Sequence, residues 1–280
     1  MNKKTCIIIS GPTAVGKTAY GISLALSHNT KIISADSRQC FKELNIGVAK
    51  PSVEQLNKVK HYFIGTHSIH ENVNAKIFEE YTLKAVHEIF KDNDTAIMVG
   101  GTGLYIKAFS EGLDEIPNIK ENIRKEINEQ YKMQGFQWLH DEVKKQDDLF
   151  FNKGEMQNPQ RILRALEVKL STGKSILEFQ SRKKIKRDFE IENILLELPR
   201  ENLYHNINHR IDKMMNDGLL EEAKNLFQFR HLNALQTVGY KELFNFLEGK
   251  ISLDKSIEEI KKNTRHFAKR QITWFQKFNN

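Results

Sequence analysis

Residues 5–18, TCIIISGPTAVGKT, join a run of apolar and β-branched residues to the pattern Gly-x4-Gly-Lys-Thr. The apolar run predicts a buried β-strand, and the apolar positions after Thr18 predict a packed helix. A glycine loop between a strand and a helix points backbone N–H groups and the helix N-terminus at one spot, which favours an anion there. The stretch therefore predicts a polyphosphate site in an α/β protein. It leaves open whether the phosphate is a donor, a fuel or a leaving group.

The residues of this loop have different expected parts. Lys17 adds a positive charge beside the bound anion, and the Thr18 hydroxyl can reach a Mg²⁺ ion. The other members offer backbone N–H groups or a close approach of the backbone: Gly11, Thr13, Ala14, Val15 and Gly16. Because all of them lie within one short segment, the phosphate site is predicted from local sequence alone.

From the loop to about residue 117, predicted strands alternate with predicted helices. Strands are expected at 31–36, near 64–66 and at 95–100, with helices at 75–90 and 104–109. This alternation predicts a parallel sheet with crossover helices, and ligands of such sheets bind at the carboxyl ends of the strands. The phosphate loop, Asp36 and Gly100–Thr102 all follow predicted strands, so we expect one cleft to collect them.

Beyond Pro117 the sequence pattern becomes mostly helical. Helices are expected at 120–133, 159–170, 201–229 with an interruption near Gly218, and 253–278, and one further strand is expected at 191–198. We therefore expect a P-loop NTPase-like core formed by residues 1–117 and 191–280. A mostly helical insertion would occupy 118–190, and the C-terminal part would also be helical.

Composition and charge narrow the class of protein. The formal net charge is +7 and the isoelectric point is near 9.2, with basic residues concentrated in 182–187 and 261–270, which favours a polyanionic partner such as nucleic acid. The two cysteines form neither a disulfide framework nor a metal site, and the ten histidines show no metal-ligand spacing. No apolar run approaches the length of a membrane span. We expect a cytoplasmic protein that acts as a monomer and has no membrane partner.

Four further clusters could carry chemistry, and the residues alone leave two interpretations of each. Asp36, at a strand end, can act as a general base or hold Mg²⁺ through water, but it can also form an Asx turn. Gly100–Gly103 admits a ligand close to the backbone, or it is simply a strand-to-helix turn. Arg161 and Arg164 lie on one helix face and suit phosphates, or they form a solvated surface. A lone helical arginine such as Arg210 is usually structural.

Taken together, several motifs resemble those of the tRNA dimethylallyltransferase family, also called tRNA isopentenyltransferase, in its bacterial form. The phosphate loop alone is unspecific, but the combination is specific and spans nearly the whole chain. The motifs are GPTAVGKT (11–18), DSRQ (36–39), IGVAKP (46–51), VGGTGLY (99–105), PQRILRALE (159–167), VGYKE (238–242) and TRHFAKRQITW (264–274).

The resemblance implies transfer of a dimethylallyl group from dimethylallyl diphosphate to N6 of adenosine 37 in the anticodon loop of tRNA, with diphosphate as the leaving group. The loop, Lys17 and Mg²⁺ near Thr18 would stabilise the diphosphate, with Arg210 nearby, Asp36 as the general base and Thr102 near the acceptor base. The residues implied to contact tRNA are Asp36, Ser37, Arg38, Gln39, Thr102, Gln160, Arg161, Ile162, Leu163 and Arg164. The helical insertion would grip the anticodon stem–loop, and the adenosine must be flipped out to reach the cleft.

Two positions depart from the resemblance, and three other functions stay open. Arg38 stands where an apolar side chain is common, and Asn206 replaces a common arginine, so that Arg210 would carry more of the diphosphate charge. The alternatives are an isopentenyltransferase acting on free adenine nucleotide, a P-loop kinase or NTP-driven binding module, and a catalytically inactive tRNA-binding relative. The helical insertion and the late basic residues favour a tRNA acceptor.

Overall fold

The computed structural model describes residues 3–181 and 183–279, the last of them as backbone only. Arg182, which belongs to the basic run 182–187, lies outside the described residues. The chain forms two compact units. We call Met1–Gly112 together with Lys186–Asn280 the core unit, and Leu113–Ile185 the inserted unit. None of the described helices is long and apolar enough to cross a membrane.

The core unit is built on a five-stranded parallel sheet, which confirms the predicted α/β fold. The strands are β1 (Thr5–Ser10), β2 (Ile32–Ala35), β3 (His61–Tyr62), β4 (Thr95–Gly100) and β5 (Glu190–Leu195). Their order is β3-β2-β4-β1-β5, and Ile8 of β1 lies opposite Met98 of β4 and Asn193 of β5. The third strand ends at Tyr62 and does not reach 64–66 as expected, because Phe63 adopts a φ of 62° that ends the extended backbone.

Helices connect these strands and form the inserted unit. In chain order they are α1 (Lys17–Ser27), α2 (Val53–Lys58), α3 (Ala75–Asp92), α4 (Gly103–Glu111), α5 (Glu121–Gln146), α6 (Asp148–Lys153), α7 (Pro159–Thr172), α8 (Arg200–Asn216), α9 (Leu219–Leu226), α10 (Tyr240–Leu247) and α11 (Leu253–Asn279). The expected interruption near Gly218 separates α8 from α9. The helix α10 was not expected from the sequence.

Strand β1 shares its side chains between two apolar clusters, because successive residues of a strand point to opposite faces of the sheet. Ile7 and Ile9 pack in one cluster with Ile22 of α1. Cys6 and Ile8 belong to the larger cluster, which also takes side chains from α3, α4 and the C-terminal helices. The segment that leaves β1 for α1 is therefore anchored on both sides.

The inserted unit has an apolar core of its own, to which α5, α6 and α7 contribute. Its buried side chains include Leu139, Val143, Phe150, Ile162, Leu163 and Leu166. The sequence predicted a helix only over 120–133, whereas α5 continues to Gln146 and α6 follows it. Gly135 explains the omission: its φ of 78° kinks α5 and interrupts the helical pattern.

Candidate active site

The loop between β1 and α1 presents a row of backbone donors. Ala14 is buried with a φ of 67°, and Gly16 has a φ of 98° where α1 begins. Among residues 3–181 and 183–279, no acceptor receives a bond from the backbone N–H groups of residues 14–18. Free N–H groups at the start of a helix attract an anion, because the helix dipole adds positive potential there. The observed loop has the geometry that the sequence predicted for a phosphate site.

Lys17 folds back onto this loop. Its Nζ donates to the carbonyl oxygens of Gly11 at 2.9 Å and Pro12 at 2.6 Å. Burial of the ammonium group lowers the pKa of Lys17 to about 7, Arg210 lowers it further and Asp36 opposes the shift. The balance identifies Lys17, Arg210 and Asp36 as electrostatic neighbours. An arriving anion would favour the charged form of Lys17.

Helix α8 braces the loop from a second direction. Arg210 Nη1 donates to Thr13 Oγ1 at 3.2 Å, and Asn206 Nδ2 donates to the Ala14 carbonyl at 3.3 Å. Burial lowers the pKa of the Arg210 guanidinium, yet an arginine stays protonated at any physiological pH. Asn206, where the resemblance expects a cation, supports the loop backbone and leaves the positive charge to Arg210.

Asp36 lies immediately after β2, and its two carboxylate oxygens have different surroundings. Oδ1 accepts bonds from the backbone N–H groups of Arg38 at 2.8 Å and Gln39 at 3.2 Å, which is the Asx turn that the sequence left open. Within the described part of the chain no donor is bonded to Oδ2. The two interpretations of Asp36 are therefore compatible, since one oxygen holds the turn and the other faces the cleft that Asp36 lines.

Thr102 joins the Asp36 turn to the end of β4. Its backbone N–H donates to the Ala35 carbonyl at 3.2 Å, and its Oγ1 accepts from the Ser37 N–H at 3.1 Å. The strands approach so closely here that a Cβ on Gly100 would lie 2.2 Å from the Ala35 oxygen. Only glycine fits at that position, so the glycine turn serves packing as well as the cleft.

Arg38 and Gln39 diverge in their surroundings. The half-buried Arg38 lines the cleft near Asp36 and Tyr105, and burial lowers its pKa. The Gln39 side chain contacts Ser34 and donates to the carbonyls of Val48 and Ala49 at 3.2 and 3.0 Å. Gln39 thus holds a neighbouring loop in place, whereas Arg38 is open to a ligand.

One cavity of about 650 Å³ brings these groups together. Thr13, Asp36 and Arg210 line its polar part, and the sequence predicted all three. Its apolar lining comes from residues that the sequence analysis gave no role: Val48, Ile211, Met214, Leu219 and Val238. The motifs at 46–51 and 238–242 were the available signal, because both contribute to this wall.

Glu222 of α9 anchors the apolar wall. Its carboxylate accepts the backbone N–H groups of Asn45, Ile46 and Gly47 at 2.9–3.1 Å and the Tyr240 hydroxyl at 2.6 Å. A Cβ on Gly47 would lie 2.6 Å from the Tyr240 ring, so glycine is required for this contact. Residues from three separate segments hold the wall as one piece.

In the inserted unit, the predicted RNA-contacting stretch divides by burial. Ile162 and Leu163 are 0% and 4% exposed, so their side chains belong to the core and are unavailable for contact with RNA. Arg161 has 59% of its side chain exposed, with Glu155 3.7 Å away, and Arg164 has 37% exposed and pairs with Glu167 at 3.3 Å. The exposed Gln160, Arg161 and Arg164 remain candidates for contact.

The late basic residues also divide. Arg187 is 9% exposed and donates to Glu79 and to the carbonyls of Ala108 and Phe109, so it stabilises the core unit and cannot serve an external partner. Arg270 of α11 is exposed and lines the cleft. No group of three or more His, Cys, Asp or Glu residues that could hold a metal ion occurs in the described part of the chain.

Comparison with known proteins gives a consistent result. The model of the IPP transferase family matches residues 39–278. A tRNA dimethylallyltransferase of Flavobacterium psychrophilum is 48% identical over 280 residues, covering 98% of this chain and 91% of the relative.

Solved structures agree with the sequence relatives. A tRNA isopentenylpyrophosphate transferase of Bacillus halodurans is 33% identical with a TM-score of 0.69, covering 98% of this chain and 87% of the other. A eukaryotic dimethylallyltransferase acting on tRNA is 26% identical with a TM-score of 0.79, covering 97% of this chain and 69% of the other. The similarity therefore extends over both units of the chain.

Proposed function

Because the chain belongs to the tRNA dimethylallyltransferase family of prenyltransferases, we propose that it transfers the dimethylallyl group of dimethylallyl diphosphate to N6 of adenosine 37 in the anticodon loop of tRNA. The observation that carries the proposal is the single cavity in which an anion-binding loop, a carboxylate and an apolar wall meet. A phosphoryl-transfer enzyme would need the first of these features but not the apolar wall. A prenyl donor requires all three.

The loop and its cations bind the diphosphate of the donor. The N–H groups of residues 14–18, the Lys17 ammonium and the Arg210 guanidinium surround one position. As the bond between C1 of the dimethylallyl group and the diphosphate oxygen breaks, negative charge grows on that oxygen. Donors that are already oriented stabilise this charge more strongly than reorganising water does.

Asp36 acts on the acceptor. N6 of the adenosine attacks C1 of the dimethylallyl group, the N6–C1 bond forms, and the excess N6 proton passes to Asp36 Oδ2. The bonds from Arg38 and Gln39 to Oδ1 orient the carboxylate for this transfer. The diphosphate then leaves, with the electron pair of the broken C–O bond.

The apolar wall suits the dimethylallyl group. Val48, Met214 and Leu219 offer aliphatic contacts and exclude water from the reacting carbon. Glu222 holds this wall by backbone bonds, so that the group meets a surface that is already formed. The cavity volume of about 650 Å³ is of the size that accommodates a small ligand together with a base.

Enzymes of this family use a divalent metal ion, and we propose Mg²⁺ here. The Thr18 hydroxyl and the Asp36 carboxylate are oxygen donors of the kind Mg²⁺ prefers, and Mg²⁺ commonly binds through one or two protein oxygens together with phosphates and water. These residues therefore fit the ion. When bound, Mg²⁺ would neutralise charge on the diphosphate.

The inserted unit supplies the proposed RNA-binding surface, and the catalytic unit is the core. Arg161 and Arg164 are suited to backbone phosphates of an anticodon stem. Arg38 and Thr102 line the cleft where a flipped adenosine would enter. We propose that one copy of the chain is sufficient, since the diphosphate loop, Asp36 and Arg210 all come from a single core unit.

The decisive experiment supplies dimethylallyl diphosphate together with an anticodon stem–loop RNA or with AMP, followed by mass spectrometry of the nucleosides. We expect N6-dimethylallyladenosine from the RNA, and none from a matched RNA with guanosine at position 37. Prenylated AMP with unmodified RNA would support the free-nucleotide enzyme instead. ATP hydrolysis without consumption of dimethylallyl diphosphate would support an NTP-driven module.

A further inference from the structure

We propose that Gln271 of α11 is a positioning residue that fixes the gap between the diphosphate loop and the turn carrying Thr102. The proposal rests on the proposed function for its catalytic consequence. Gln271 is 7% exposed, so its amide group is buried among protein atoms. It lies far along the chain from both segments that it contacts, and neither contact could be foreseen from local sequence.

The side-chain amide of Gln271 bridges two different elements. Its Oε1 accepts the Thr13 backbone N–H at 2.8 Å, and its Nε2 donates to the Gly101 carbonyl at 2.9 Å. The first contact needs an acceptor and the second needs a donor. Glutamine supplies both at the end of one side chain.

The glycine turn is shaped around this bridge. A Cβ on Gly101 would lie 2.3 Å from Gln271 Nε2, closer than any real contact allows. The close approach of the turn to α11 therefore depends on glycine at position 101. Gly101 and Gln271 fit each other as a pair.

The bridge continues to the proposed general base. Gly101 precedes Thr102, whose Oγ1 accepts the Ser37 N–H next to Asp36. A hydrogen-bonded path thus runs from Thr13 through Gln271 and Thr102 to the Asp36 turn. One end of the path sits in the loop that holds the leaving group, and the other end sits beside the base.

This connection matters because alkyl transfer requires the attacking nitrogen, the carbon and the leaving oxygen to lie in line. A displacement of about 1 Å in such an arrangement can cost about 100-fold in rate. Gln271 touches neither the diphosphate donors of residues 14–18 nor Asp36 itself. Its loss should therefore disturb the alignment more than it weakens the binding of either substrate.

Gln271→Met retains the side-chain length and removes both hydrogen bonds. We expect the single-turnover rate to fall by about 10- to 100-fold, while KM for dimethylallyl diphosphate stays close to that of the wild type. Ser256→Ala is the matched control, because Ser256 is also fully buried on α11 and bonds to a neighbouring backbone carbonyl, that of Glu242. Equal rate losses in the two variants, or a loss confined to KM, would overturn the proposal.

A double-mutant cycle tests the pairing directly. Gly101→Ala should impair the wild type strongly, because the new methyl group collides with Gln271 Nε2. In a Gln271→Ala background the same substitution should cost much less, since the colliding group is gone. Additive effects of the two substitutions on the single-turnover rate would contradict the bridge.

Hydrogen exchange separates this proposal from the proposed function. In full-length Gln271→Met the Thr13 amide should exchange faster than in the wild type, and in Ser256→Ala it should not. If the wild type proved unable to prenylate RNA, the proposed function would fail, and exchange would still decide whether the bridge exists. Unchanged exchange at Thr13 would refute the bridge whatever the activity.

Discussion

The cations of the diphosphate loop and those of the inserted unit meet solvent in different ways. Lys17 and Arg210 are half-buried and already bonded to atoms of the loop, at 2.6–3.2 Å. Arg161 of α7 is 59% exposed, and its acidic neighbour is 3.7 Å away. Both groups are expected to meet phosphate, but only the first is oriented before the phosphate arrives.

The difference has a physical consequence. Charges removed from water interact strongly with a nearby anion and carry a desolvation cost, which appears here as the lowered pKa of Lys17. Exposed charges interact weakly over distance because salt screens them, and they act mainly through counterion release. The enclosed cations are therefore suited to stabilising a transition state, and the exposed arginines to holding RNA.

The largest expected effect comes from Asp36, which separates chemistry from RNA binding most sharply. Asp36→Ala should lower the single-turnover rate by about 100- to 10,000-fold, since a general base contributes about that much. RNA affinity, measured by filter binding, should be unchanged. Asp36→Asn is the matched variant, because it retains an acceptor for the Arg38 and Gln39 amides. Similar losses of rate and affinity would argue against a role as base.

Arg210 tests the enclosed cations. Arg210→Gln should reduce the rate of the chemical step by about 100- to 1,000-fold, as expected when a donor to developing negative charge is removed. Arg265→Gln serves as the control, because Arg265 bonds to Asn208 at 2.8 Å and has no bond to the loop among the described residues. A normal rate with weaker binding of RNA would reverse the distinction drawn between the two groups.

Arg161 tests the exposed group and should have a smaller effect. Arg161→Ala is expected to weaken binding of the anticodon stem–loop and to reduce the slope of log K against log salt by about 1. The single-turnover rate at saturating RNA should not change. Arg230→Ala provides a comparison, since Arg230 is an exposed, ion-paired arginine of the core unit. An unchanged salt slope would mean that Arg161 is merely solvated.

The smallest effect concerns stability and follows from the lowered pKa of Lys17. The folded state holds this proton less tightly than the unfolded state, so the cost to stability is complete below pH 7 and is relieved as pH rises toward 10.5. Lys17→Met should therefore raise the Tm of the ligand-free protein by more at pH 6 than at pH 9. The difference should be a few degrees, about 2–4 °C for each kcal/mol.

A matched comparison uses an exposed lysine. Lys213→Met removes a side chain that is 66% exposed and paired with Asp217, and it should show no such pH-dependent gain. Thermal unfolding of the three proteins at both pH values measures the effect. A larger gain at pH 9 would contradict the assignment of Lys17 as an enclosed cation.

Local sequence patterns predicted much of the core unit. Residues 5–18 were enough for β1, the phosphate loop and the start of α1, because each depends on neighbouring residues. The third strand was placed too late, since the left-handed conformation of Phe63 has no signature in residue type. The kink at Gly135 hid the second half of α5 for a similar reason.

The site was predicted in part. Asp36, Lys17 and Arg210 were recognised, and they do line or adjoin one cleft. The supporting residues Glu222, Gln271 and Asn206 were assigned no such contacts, because a buried side chain on a helix carries no mark of what it touches. Ile162 and Leu163 were placed among RNA-contacting residues, and their burial became evident only once α7 was packed.

The sequence alone specified an anion loop between a strand and a helix, an alternating α/β order and a family resemblance, since these depend on short-range spacing and residue type. Only the tertiary structure revealed that Gln271 joins Thr13 to Gly101, and that Glu222 holds the apolar wall. Thr13 and Gln271 are 258 residues apart. Such contacts arise from packing between distant segments, and packing geometry is a property of the folded chain rather than of any stretch within it.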